Sequence, residues 1–346
     1  MSRGPLHPSL APFAHLAALA YGLGVRAHGA WASIREPARA GVPVISVGNV
    51  SAGGTGKSPF VRWTVRALQD AGRRPLVAMR GYAPGGGPSD EAAEHRAALP
   101  GVAMAVGADR AARIAEALEH DPAIDCAVLD DGFQHRALAR DLDIVLVDAS
   151  RVAIDGALLP AGWLREPATA LARADMVVVT RAQVIDHALA ALVERFHGRL
   201  PAAWARHEWS RIERLGAGDR DMPVAAIAGR KVVCVTALAN PAPFVAEAAS
   251  RGARVRADLR FRDHHRFTAR DAGRIVAEAR SKDAAVLCTA KDWVKLAPLL
   301  GDGGGVEWLA VHPGIVFLDG EPAVRAAVLR AAPGARVAAS SAPIVR

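Results

Sequence analysis

The chain has 346 residues, of which 51% are hydrophobic and 23% are charged, and this composition excludes an intrinsically disordered protein. At about 150 residues per domain, the length indicates two domains. The formal net charge of +8 favours an anionic partner, such as a nucleotide, a nucleic acid or an acidic membrane surface, without choosing among them.

The first predicted element is an apolar helix. From Leu10 to Val25 the chain contains no Asp, Glu, Lys or Arg, and arginines flank the segment. The segment is short for a bilayer span, which needs about 20 residues. We expect residues 1–35 to form a membrane-associating helix. A signal peptide cleaved near 30–32 and an ordinary docking helix are the alternatives.

Apolar strands then alternate with helices through residues 36–205. The strand-like runs, all rich in Val, Ile, Leu or Ala, are Val42–Val47, Leu76–Met79, Cys126–Leu129, Ile144–Val147 and Met176–Thr180. Strands that are apolar on both faces and separated by helices indicate a mostly parallel sheet covered by helices. The predicted fold class is therefore α/β, with a doubly wound, mostly parallel sheet.

The pattern weakens at residues 206–230, where Gly, Pro and charged residues cluster, and this segment is the predicted hinge or linker. A second strand–helix series follows, so residues 231–322 are predicted to form a smaller α/β domain. Residues 323–346 are expected to form a terminal helix and a frayed tail. The three cysteines lie far apart in apolar runs, which indicates reduced core thiols in a cytosolic protein.

The strongest motif is a glycine-rich turn between the first buried strand and the next helix. In such a P-loop, backbone N–H groups surround nucleotide phosphates, Lys57 can reach the β- and γ-phosphates, and the Ser58 hydroxyl can bind Mg²⁺. Ser51 stands where the strict pattern has its first glycine. The predicted nucleotide-binding residues are Ser51, Ala52, Gly53, Gly54, Thr55, Gly56, Lys57 and Ser58.

A pair of acids ends the strand near residue 130. Asp130 and Asp131 can supply the carboxylate that holds Mg²⁺ beside a P-loop; an acidic cap of the following helix is the alternative. Guanine recognition would normally require an Asn-Lys-x-Asp turn after a later strand, whereas Met176–Thr180 runs into Arg-Ala-Gln. The sequence therefore favours ATP over GTP.

Several further motifs follow in a specific order. They are Arg80-Gly81-Tyr82, Asp90-Glu91, Asp130–His135, Leu159–Pro167, Asn240-Pro241, Phe261–Phe267 and Thr289–Asp292. With the P-loop, they resemble the tetraacyldisaccharide 4′-kinase family over about residues 10–320. The resemblance implies transfer of the ATP γ-phosphate to the 4′-hydroxyl of an acylated glucosamine disaccharide 1-phosphate in lipid A (lipopolysaccharide) biosynthesis. It also implies two α/β/α domains at the cytoplasmic face of the bacterial inner membrane.

The resemblance assigns roles to individual residues. Asp90 would be the general base, His264 would orient or tune it, and Lys57 would neutralise phosphate charge. Arg165 would lie near the phosphates and Glu166 near Mg²⁺. The alternatives are a solvated loop acid for Asp90 and a surface ion pair for Arg165 and Glu166. Zinc is not expected at the adjacent histidines, since no further ligands stand at suitable spacing.

Two other function classes compete with a lipid kinase. A P-loop regulatory ATPase or metal-insertion chaperone would also need the nucleotide motif, but it would leave the apolar N-terminus without a purpose. A nucleic-acid-binding ATPase is not favoured, since basic residues are scattered and Tyr and Phe are few. The expected partners are therefore ATP, Mg²⁺, the acylated lipid and an anionic membrane surface, with neither a nucleic acid nor an obligate protein partner.

Overall fold

The computed structural model describes residues 11–34, 36–53, 55–81, 90–215, 221–238, 240–263, 265–300 and 303–333. In this part of the chain, strands and helices alternate. The strands are β1 (Val44–Asn49), β2 (Pro75–Met79), β3 (Ala103–Val106), β4 (Cys126–Asp130), β5 (Leu142–Asp148), β6 (Met176–Thr180), β7 (Ala203–Leu215), β8 (Asp221–Met222), β9 (Lys231–Thr236), β10 (Arg254–Arg260), β11 (Ala285–Thr289) and β12 (Trp308–Asp319).

Helices occupy most connections between these strands. They are α1 (Ala11–Ile34), α2 (Lys57–Asp70), α3 (Asp90–Ala98), α4 (Arg110–His120), α5 (His187–His197), α6 (Ala242–Ser250), α7 (Ala269–Ser281), α8 (Ala290–Leu300) and α9 (Glu321–Ala331). By contacts, the chain divides into two units. The first falls within Met1–Gly87, Gly101–His207 and Ile315–Arg346, and the second within Pro88–Pro100 and Glu208–Gly314.

The first unit is built on a parallel sheet in the order β7-β6-β5-β1-β4-β2-β3. Every residue of β1, β4 and β5 is buried, because helices and connecting segments cover both faces. The α2 helix presents one apolar stripe to the sheet, which includes Phe60, Val61 and Leu68. This arrangement confirms the predicted α/β fold with a mostly parallel sheet.

The second unit has its own sheet, in the order β10-β9-β11-β12-β7, with the later part of β7 and the earlier part of β12. The short β8 pairs antiparallel with β7. Helix α7 begins with a capping box in which Thr268 and Asp271 satisfy each other's backbone N–H groups. Residues 203–215, much of which the sequence placed in a linker, form one long strand. The predicted domain boundaries stay predictions.

One helix belongs to a different unit from its neighbours in the chain. Helix α3 lies between β2 and β3 in sequence, yet it packs against α8 of the second unit. Ala92, His95 and Ala98 are buried and recur at helical spacing, which gives α3 a single packing face. The second unit is therefore assembled from two separate stretches of the chain.

The three cysteines lie in the core, and a helix forms most of the N-terminal segment. Cys126, Cys234 and Cys288 are buried free thiols that form no disulfide bond, as expected of core cysteines. Helix α1 spans most of the predicted N-terminal segment. Within the described part of the chain, no helix combines the length and apolarity needed to cross a bilayer. Residues 334–346 of the predicted tail lie outside the described residues.

Candidate active site

The P-loop lies at the carboxyl end of β1, where the chain turns into α2. Gly53 and Gly56 have φ angles of +99° and +82°, a region that side-chain-bearing residues rarely adopt. Ser51 instead forms a β-bridge with Leu164. Its backbone is therefore extended, and this position does not need the conformational freedom of glycine. Gly54 lies outside the described residues.

Asn49 holds the loop through hydrogen bonds, although it was not predicted as a site residue from the sequence. Its Nδ2 donates to the carbonyl oxygen of Ser51 at 2.8 Å and to Oγ1 of Thr55 at 2.9 Å. Lys57 Nζ lies 3.4 Å from Asn49 Oδ1, and Gln134 Nε2 donates to the Asn49 carbonyl at 2.8 Å. Because Asn49 is fully buried, these bonds fix both ends of the loop.

The segment that contains Leu164 borders the P-loop. Ala52 N donates to the carbonyl oxygen of Trp163 at 2.7 Å, and Arg165 N donates to that of Val50 at 2.8 Å. These backbone bonds place the Arg165 side chain beside the end of β4. The sequence motif thus brings Arg165 and the P-loop together through main-chain pairing.

Asp131 pairs with two cationic side chains, those of Arg165 and Lys57. Arg165 Nη1 donates to its Oδ2 at 2.8 Å, and Lys57 Nζ lies 3.4 Å from its Oδ1. Burial alone would raise the pKa of Asp131, but Lys57 and Arg165 outweigh it and hold the pKa below its ordinary value. The carboxylate is therefore charged at neutral pH.

The predicted magnesium ligands are oxygen donors near this point. Asp130 is buried at the end of β4, and Ser58 lies in the first turn of α2. Glu166 Oε2 pairs with Arg173 at 2.8 Å, while its Oε1 is buried with no hydrogen-bond partner in the described structure. Hydroxyl and carboxylate oxygens, one of them unpaired, suit Mg²⁺, which also keeps waters and phosphate ligands.

A dedicated protein cage for a metal is a different kind of site. No group of three or more His, Cys, Asp or Glu side chains able to hold a metal ion occurs among the described residues.

A cavity of about 750 Å³ adjoins Asp131 in the first unit. Its cationic lining residues are Arg80, Arg110, Arg136 and Arg165. Arg110 Nη1 lies 3.1 Å from His135 Nδ1, and burial together with neighbouring arginines lowers the pKa of His135 to about 4. His135 is thus neutral at pH 7, and the cavity attracts anions through arginine alone. Neither Arg110 nor His135 was predicted as a site residue from the sequence.

The two residues implied for proton transfer belong to the second unit by their place in the chain. Asp90 is the first residue of α3, but its side chain lies outside the described residues, as does all of His264. Their predicted roles rest on the motif resemblance.

A family model described as LpxK, tetraacyldisaccharide-1-P 4′-kinase, matches residues 6–332. The chain belongs to this family. A tetraacyldisaccharide 4′-kinase of Anaeromyxobacter dehalogenans strain 2CP-C is 37% identical over an alignment of 350 positions, gaps included, which covers 95% of this chain and 90% of the relative. One from Geobacter metallireducens is 38% identical over 307 residues, covering 82% and 85%.

A solved structure extends the family match to the fold. The crystal structure of Aquifex aeolicus LpxK, described as an "apo" form in complex with ATP, superposes with a TM-score of 0.71 at 25% identity. It covers 94% of this chain and 99% of the relative. The resemblance identified from the motifs is confirmed. The protein is an enzyme of lipid A biosynthesis, a tetraacyldisaccharide 4′-kinase.

Proposed function

We propose that this kinase uses ATP and Mg²⁺ and that the P-loop, Asp131 and Arg165 form its phosphoryl-transfer site. The observation that carries the proposal is the convergence of Lys57 and Arg165 on one carboxylate at the carboxyl edge of the sheet. An arginine-lined cavity adjoins the same carboxylate. Cations in this arrangement suit a triphosphate and an anionic acceptor.

The loop and its cations bind and neutralise phosphate. Backbone N–H groups of residues 52–58 and the N-terminus of α2 favour the β- and γ-phosphates. Lys57 and Arg165, which pair with Asp131 in the described structure, would supply positive charge to the phosphates. When bound, Mg²⁺ would be held by Ser58, Asp130, Asp131 and Glu166, and would neutralise the charge that develops on the phosphates.

Proton removal from the acceptor hydroxyl is assigned to Asp90, with His264 orienting or tuning it. A carboxylate can take a hydroxyl proton as that proton becomes acidic in the transition state. This assignment rests on the motif resemblance, and the kinetics of the Asp90→Ala variant test it.

Helix α1 is the proposed contact with the membrane. Its exposed apolar side chains are Phe13, Leu16, Leu19, Leu23 and Ile34, exposed by 65–85%. Arg26 is the one Asp, Glu, Lys or Arg residue in its sequence. Tyr21 Oη donates to the carbonyl oxygen of Arg165 at 3.0 Å, which ties the helix to the site. An apolar face of this size suits interfacial binding at the cytoplasmic face of the inner membrane.

The test measures transfer of ³²P from γ-labelled ATP to detergent-dispersed tetraacyldisaccharide 1-phosphate, with and without Mg²⁺. We expect Mg²⁺-dependent labelling that Lys57→Ala and Asp90→Ala each reduce by about 100-fold or more. Lys231→Ala is the matched control, since Lys231 pairs only with the exposed Asp283 in the described structure. Full activity in Asp90→Ala would move the base elsewhere, and unlabelled lipid from an ATP-binding wild type would refute the proposal.

A further inference from the structure

His207 lies against the P-loop at a place that the proposed mechanism does not use. It is the last residue of the first unit on β7, and its ring packs against Gly56. A Cβ atom at position 56 would collide with Cε1 and Nε2 of the imidazole. The His207 ring can therefore pack this closely on the loop only because residue 56 is a glycine.

The ends of neighbouring strands surround the same part of the loop. Thr180, at the end of β6, donates through Oγ1 to the carbonyl oxygen of Thr55 at 2.8 Å. Arg181 Nη1 pairs with Asp148 Oδ2, at the end of β5, at 3.0 Å. The carboxyl ends of β5 and β6, together with His207 in the earlier part of β7, thus meet the loop on the side of β1 opposite to β4.

This placement divides the nucleotide site into two sides. In doubly wound sheets, ligands bind outside the carboxyl ends of the strands, and phosphates lie on the glycine-rich loop and the following helix N-terminus. Asp130 and Asp131 lie on the β4 side, where the metal and the γ-phosphate belong. The nucleoside therefore belongs on the other side, which is formed by β6 and β7 and carries Arg181 and His207.

The imidazole of His207 has an unused hydrogen-bonding group. Its Nε2 is buried and has no partner among the residues that the structure describes. Burial, reinforced by Arg181, lowers the pKa of His207 to about 4, so the ring is neutral at pH 7. A neutral imidazole offers one donor and one acceptor, which suits the polar edge of a base or a ribose hydroxyl better than a phosphate.

We propose that His207 is a nucleotide-positioning residue, which hydrogen-bonds the nucleoside part of ATP through Nε2 while its ring supports the P-loop at Gly56. The inference rests on the proposed ATP site and adds a contact beyond the phosphates. It predicts that removing the hydrogen bond while keeping a side chain packed on Gly56 weakens the binding of ATP but changes the binding of the phosphate chain alone very little.

Isothermal titration with two probes, ATP and inorganic tripolyphosphate, both with Mg²⁺, tests this on the full chain. We expect His207→Leu, whose apolar side chain can still pack on Gly56 but cannot form a hydrogen bond, to raise the Kd of ATP by about tenfold, a usual effect of one lost hydrogen bond. The Kd of tripolyphosphate should stay within about twofold. His207→Gln, which keeps a polar group, should recover most of the ATP affinity.

His197→Gln is the matched control, because His197 is also buried in the first unit and bonds the carbonyl oxygen of Ala174; it should bind both probes normally. Equal losses for ATP and tripolyphosphate in His207→Leu would mean that His207 only supports the loop, and unchanged ATP affinity in His207→Leu would also overturn the inference. If His207→Leu unfolds, His207→Val carries the test. A wild type that fails to bind ATP would instead overturn the proposed function.

Discussion

Arg165 donates a 2.8 Å hydrogen bond to Asp131, and this bond joins the segment that borders the P-loop to the end of β4. The same carboxylate receives Lys57 at 3.4 Å. Removing one cation should therefore raise the pKa of Asp131 and change the position of the other cation, so these three residues should behave as a unit.

Arg165→Lys should lower kcat/KM by about 100-fold, because a lysine ammonium cannot reproduce the planar, multiply donating guanidinium. Steady-state phosphoryl transfer measures the effect, and thermal unfolding should stay near that of the wild type. Arg251→Lys, which alters a surface pair with Glu247, provides the control and should leave kcat/KM unchanged. Equal activity of Arg165→Lys and wild type would argue against a role for the guanidinium.

Thr180→Val should weaken ATP binding about fivefold to tenfold. The substitution removes the hydroxyl that donates to Thr55 O from a fully buried position, and a lost buried hydrogen bond costs about 1–2 kcal/mol. The loop then loses one of its fixed points. Thr64→Val is the matched control, since Thr64 is equally buried but bonds Phe60 O within α2. A rise in KM for ATP as large in Thr64→Val would show a general loss of stability.

Replacing Leu16 and Leu19 by Gln should reduce binding to vesicles that contain phosphatidylglycerol by tenfold or more. Each side chain is 69% exposed, and burying a leucine contributes about 1.5–3 kcal/mol. Vesicle co-sedimentation measures the binding, and activity on detergent-dispersed substrate should persist. Val184→Gln, also 69% exposed before substitution but on a loop, should bind vesicles normally. Undiminished binding of the double variant would place the membrane contact elsewhere.

The free energy of unfolding should fall as pH drops from 6.5 to 4. Burial lowers the pKa of His135 and of His207 from 6.5 to about 4 in the folded protein, so in this window the unfolded chain binds more protons. The loss should total on the order of 2 kcal/mol, measured by urea unfolding at each pH. The double variant with Gln at both positions should show a flatter profile, and an equally steep one would contradict the assignment.

The parallel sheet could be predicted because its strands are buried on both faces and therefore read as continuous apolar runs. Strand β7 could not be predicted in this way, because its later residues are half-buried. They include Arg206, Glu208 and Arg211, so no apolar run marks the strand. Charged residues are tolerated there because only part of each side chain is covered. The glycine-rich motif likewise located the P-loop, since its spacing is specific.

Three residues that contact the P-loop could not be identified from the sequence. Asn49, Thr180 and His207 each touch the P-loop, but the last two are separated from it by more than 100 positions. No spacing rule connects residues that meet only because their strands are neighbours in one sheet. The unexpected Ser51 also needed structure to explain, since only pairing with Leu164 shows that its backbone is extended.

The packing of α3 on α8 has a consequence for synthesis on the ribosome. Ala98 precedes Ala290 by 192 positions in the chain. At 5–20 residues per second, roughly 10–40 s separate the emergence of the two helices. Throughout that interval the buried face of α3, with Ala92 and His95, lacks the α8 surface on which it packs, so the nascent second unit cannot close until nearly the whole polypeptide has been made.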